Sequence, residues 1–166
     1  MLILLIAVLL ALPAFFMWSA LHELSHYLMA RRYRTITEAS FRLYPHVEGS
    51  NFVFASVLWE HDGAPFTPAE DAAISFAPRI LDLLAVILTP LATLMPEPWL
   101  ATSWCVLIGA GLVDLSYGSI GYTAASDLQR FAMGGGHSVW VVRIIGWALA
   151  VSSAALTVGL LIAHWA

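Results

Sequence analysis

Long apolar runs alternate with short polar connections along this chain. Four runs stand out, at about residues 2–30, 74–95, 99–122 and 139–163. Each provides the roughly 20 helical residues needed to cross a hydrocarbon layer of about 30 Å. A backbone in lipid must satisfy its own polar groups, so the runs are predicted to be helices. Barrel strands would alternate in polarity, and these runs do not. The fold class that follows is an integral membrane protein, mainly α, with four transmembrane helices.

The one sizeable polar stretch, 31–73, lies between the first and second runs. Within it, TITEASFRLY and NFVFASVLWE are rich in β-branched and aromatic residues, and PHVEGSN separates them with turn formers. This predicts a β-hairpin over about 35–60. TPAEDAA follows. Thr67 has the character of an N-cap, Pro68 of a first helical residue, and Glu70 stands three residues after the cap. The second helix should begin there and enter the membrane several residues later. Residues 2–11 look like a signal peptide but lack a positive flank. The apolar run also continues past any plausible cleavage site, so we read it as the start of a retained span. Residues 1–166 read as one membrane-embedded domain without internal repeats.

Composition strengthens the membrane reading. The chain is 60% hydrophobic and 11% charged, with a mean hydropathy of +0.82; soluble domains carry about 25% charged residues. All seven basic residues are arginines. With four spans they fall on one side, which the positive-inside rule makes cytoplasmic. The termini and the 96–98 turn are then outside, with Trp99, Trp104 and Trp165 near that far interface. The expected location is a bacterial or archaeal plasma membrane. The net charge of -4 comes with no basic patch that would suggest nucleic acid. The single cysteine, Cys105, excludes a disulfide framework and reads as an inert buried thiol.

The unusual chemistry lies in WSALHELSHYLMARRYR, residues 18–34. His22 and His26 are four apart and share a helix face, so both imidazoles can reach one metal ion. Glu23 sits about 100° round from His22, within reach of a water on that metal. Two histidine ligands and a glutamate base make the zinc-hydrolase arrangement. Ionisable groups within a span cost about 2.5–3.5 kcal/mol each at the centre, so three in five residues argue for a metal over a structural cluster. A third ligand is expected from depth. If the third helix is continuous, Asp114 lies about 24 Å from Arg130, near the far side. Asp127 lies three residues before Arg130, at the depth of His26. Asp127 is therefore preferred, and Asp114 is expected to be a buried carboxylate bonded to a neighbouring helix.

His137, in MGGGHSVW, is a candidate substrate-facing group, with a plain turn as the alternative. His46 and His61 belong to the hairpin and are expected to be exposed. His164 falls on the far side. Arg79 and Asp82, three apart, are expected to form a local ion pair.

These features resemble the site-2 protease family of intramembrane zinc metalloproteases, in its short forms without a PDZ domain. The resemblance rests on HELSH at the end of the first span, the hairpin after it, SFAPRILDLL and SDLQR. The chain lacks the Asn-Pro…Asp-Gly motif of longer members and carries Ser25 where Gly is common. The resemblance implies Zn2+ held by His22, His26 and Asp127, with Glu23 activating water. It implies cleavage of membrane-protein or peptide substrates in or near their spans, within the lipid bilayer. The hairpin would guide substrate as an added strand. The competing functions are a catalytically inactive metal-binding membrane protein, a transporter or a haem-binding one. Transport would need polar residues along a path across the bilayer, and the far half offers little beyond Asp114.

Overall fold

The computed structural model describes residues 2–48, 51–120 and 126–165. Four helices are long and apolar enough to cross a membrane. The first, α1, runs unbroken over Leu2–Tyr33. Leu4, Leu5, Val8, Leu9 and Leu12 are all exposed on it, as side chains facing lipid would be.

The hairpin lies between the first two helices, in a more divided form than expected. Strand β1 (Ile36–Arg42) pairs antiparallel with β4 (Ser56–His61), in a register that sets Phe41 opposite Val57 and breaks between Ile36 and Glu38. Beyond it, β2 (His46–Glu48) pairs with β3 (Asn51–Val53). Part of the predicted loop is thus strand, and the predicted second strand is split in two. The tip, residues 49 and 50, lies outside the described residues.

Helix α2 (Pro68–Leu88) starts at the predicted signal. The Thr67 side chain accepts from the Glu70 N–H, and Glu70 accepts from the Thr67 N–H, which closes a capping box. A 3-10 turn, Thr89–Leu94, completes this span. Proline explains the change. Pro90 has no N–H for the carbonyl four residues earlier, and that carbonyl, Val86 O, accepts from Ser153 Oγ at 2.8 Å.

Helix α3 (Pro98–Ile120) packs against α1, α2 and α5 (Val139–Trp165). Trp18, Ala85, Leu112, Leu115 and Ala150 form the core. Gly111 permits this close approach: a Cβ there would lie 2.6 Å from the Ala85 Cβ and 2.9 Å from Trp18. Trp18 donates its indole N–H to Leu107 O at 2.8 Å, and Trp104 donates to Leu88 O at 2.8 Å. The Trp165 side chain lies outside the described residues.

The third span does not continue to Arg130. Helix α3 is described as far as Ile120, residues 121–125 lie outside the described residues, and after the extended Ser126 a separate helix α4 occupies Asp127–Gly134. Leu128 and Ala132 bury one face of α4, and Phe131 stacks on Phe76 of α2 at 4.4 Å.

Candidate metal centre

Helix α1 presents His22 and His26 on one face, and α4 brings Asp127 to them. The two Nε2 atoms are 3.2 Å apart. Asp127 Oδ2 lies 3.0 Å from His22 Nε2, and Oδ1 lies 3.4 Å from His26 Nε2. Donor atoms of all three residues fall within 4.8 Å of one another. A tetrahedral zinc with bonds of about 2.0–2.1 Å sets its ligand atoms about 3.3 Å apart, so the spacing fits such an ion.

The remaining ring nitrogens also fit. His26 Nδ1 lies 2.8 Å from Ile74 O. A carbonyl only accepts, so Nδ1 carries the proton and Nε2 presents its lone pair to the cluster. His22 Nδ1 lies 2.7 Å from Asp114 Oδ2, an arrangement that fixes a metal-binding imidazole in the same tautomer. All three residues are largely shielded, with side-chain exposures of 15%, 12% and 19% for His22, His26 and Asp127.

Glu23 is buried on the same helix, and His22, His26 and Asp127 are its electrostatic neighbours. The Val57 N–H of β4 faces its carboxylate, so the hairpin edge reaches the centre.

Asp114 departs from its expected depth. It stands beside His22, because the extended Ser126 interrupts the helix before Asp127 and a count back from Arg130 along one helix no longer gives its depth. Its expected bond to another helix agrees with this contact, but the carboxylate is half-buried and not buried. Arg79 and Asp82 do form an ion pair, at 2.6 Å, but Arg79 also reaches Asp127 Oδ2 at 3.0 Å and Asp114 Oδ2 at 3.6 Å. His137 lies outside the cluster, exposed after α4, with its ring 5.7 Å from Phe131. His46 and His61 are half-buried in the hairpin, and the His46 Nε2 lies 3.0 Å from Ser56 Oγ.

Two sequence signals bear on what was missed. Ser126 and Gln129 are spaced as in a capping box, and Ser126 is the N-cap of α4. Its hydroxyl makes no cap hydrogen bond and instead faces Arg143 Nη2 at 3.4 Å. The other signal is Pro78, which leaves Ile74 O without its helical N–H partner and so available to His26.

An apolar cleft of about 900 Å3 runs between α1, α3 and α5 and ends near the centre, lined among others by Phe15, Trp18, Val113, Asp114 and Leu161. Phe54 of the hairpin meets Phe15 at 5.3 Å and Tyr117 at 5.4 Å at that end.

No protein-family model, curated protein or solved structure matches the chain. The architecture is a four-helix membrane bundle with a His/His/Asp cluster able to hold a metal ion, consistent with an intramembrane metalloprotease fold.

Proposed function

We propose that the protein is an intramembrane zinc endopeptidase, of the kind the site-2 protease resemblance implies. It would cut peptide bonds in or near the spans of other membrane proteins, with the hairpin and the metal centre towards the cytoplasm and the termini outside. The observation that carries the proposal is the buried Glu23 carboxylate on the same helix as two members of a His/His/Asp cluster that could hold a metal ion. His22, His26 and Asp127 would hold the ion and leave one position open. Bound zinc lowers the pKa of its water to about 7 and polarises a carbonyl oxygen.

The chain's residues would do the rest. Glu23 takes the proton as the water oxygen attacks the carbonyl carbon. It passes that proton to the leaving nitrogen as the C–N bond breaks, giving a carboxylic acid and an amine. Strand β4 pairs with β1 on one side, and its Val57 N–H faces the centre on the other, where an extended substrate can add as a strand. The apolar cleft suits the flanking residues of such a segment. Haem fits poorly, because Nε2 atoms 3.2 Å apart cannot ligate from opposite faces of one ring system.

The test pairs metal content with cleavage. Detergent-purified wild type should carry close to one zinc per chain, and His22→Ala should lose it. Glu23→Gln should keep the zinc and abolish cleavage of a membrane-protein substrate. Cleavage at the wild-type rate by Glu23→Gln would rule out this mechanism.

A further inference from the structure

Helix α2 contributes no ligand to the proposed centre, yet two adjacent residues on it bear on two of the three donors. We propose that Pro78 and Arg79 are positioning residues, Pro78 for the His26 ring and Arg79 for the Asp127 carboxylate. The inference rests on the metal-centre reading above.

Pro78 acts by what it lacks. An uninterrupted helix would pair Ile74 O with the N–H of residue 78, and proline has none. A carbonyl freed at membrane depth needs another donor. His26 supplies it through Nδ1 at 2.8 Å, which settles the tautomer and turns Nε2 towards Asp127.

Arg79 acts as a brace across three elements. Only 3% of its side chain is exposed. Nη1 donates to Asp82 Oδ2 on its own helix at 2.6 Å and to the Asp114 backbone O on α3 at 3.3 Å, while Nη2 donates to Asp127 Oδ2 on α4 at 3.0 Å. Gly118 leaves room for this group: a Cβ there would lie 2.8 Å from Nη1 and 3.0 Å from Cζ. Other contacts of α4 with α2 include the Phe131–Phe76 stack and the approach of Gly134 to the Pro68 backbone. They set where α4 lies but do not orient the carboxylate at its first residue. A planar guanidinium held at several points can, and the point charge of lysine cannot.

Zinc affinity, measured on the full chain in detergent by competition with a chelator, tests both residues. Arg79→Lys keeps the charge and should weaken zinc binding about 10–100-fold, the usual cost of losing a partner behind a metal ligand. In an Asp127→Ala background the same substitution should have no further effect, because the group it acts through is gone. Equal losses in both backgrounds would reduce Arg79 to a structural ion pair. Pro78→Ala restores the N–H without disfavouring the helix, so it tests the inference even if Arg79→Lys folds poorly. It should cost about tenfold in the wild-type background and nothing with His26→Ala. Wild-type affinity in either single variant overturns the inference for that residue. A wild type that takes up no zinc overturns the proposed function and this inference with it.

Discussion

Replacing Asp114 and Asp127 separately by alanine tests the assignment of the third donor. Both carboxylates touch His22, Asp114 at Nδ1 at 2.7 Å and Asp127 at Nε2 at 3.0 Å, but only Asp127 also faces His26. As a ligand, Asp127 should carry its share of the binding free energy. Four-ligand zinc sites bind with about 10–16 kcal/mol, or about 2.5–4 kcal/mol per ligand. Asp127→Ala should then weaken zinc binding about 100–1,000-fold, at about 1.4 kcal/mol per factor of ten. Asp114 supports a ligand through one charge-assisted hydrogen bond, worth about 1.5–3 kcal/mol. Asp114→Ala should cost about 10–100-fold, and Asp114→Asn less, since its amide oxygen still accepts from Nδ1. Chelator competition in detergent, with folding checked by thermal melting, measures all three. A loss for Asp114→Ala equal to or larger than that for Asp127→Ala would move the third ligand to Asp114 and refute the reasoning.

The packing yields further expectations, all readable by unfolding in detergent. Gly111→Val should destabilise the bundle by about 1–3 kcal/mol, because its Cβ alone would press on Ala85 and Trp18. Ser153→Ala removes the donor from Val86 O and should cost about 0.6 kcal/mol, the average for hydrogen bonds between membrane helices. Thr67→Ala opens the α2 capping box and should cost about 1 kcal/mol, with faster amide exchange at Glu70.

The amino-acid sequence by itself determined the four spans, the hairpin between the first two and the start of α2. Each depends on local properties: hydropathy over about 20 residues, β-rich segments around a turn, and a cap with its partner three residues on. It also determined that His22 and His26 share a face, since a four-residue spacing decides that within one helix. Asp127 was legible through its place next to Arg130, although the continuous helix assumed for that estimate is absent. The same assumption misplaced Asp114, because depth counted along a chain fails wherever the helix is interrupted, here by the extended Ser126.

Only the tertiary structure decided which atoms meet across helices. That Pro78 frees a carbonyl is local, but that His26 of α1 takes it depends on how α1 and α2 dock. That Arg79 pairs with Asp82 is local, but its bond to Asp127 exists because α4 folds back over α2. Periodicity specifies the face a residue occupies within its own element. The partner on the facing element is set by helix packing, here by small residues such as Gly111 and Gly118 that let neighbouring side chains close in.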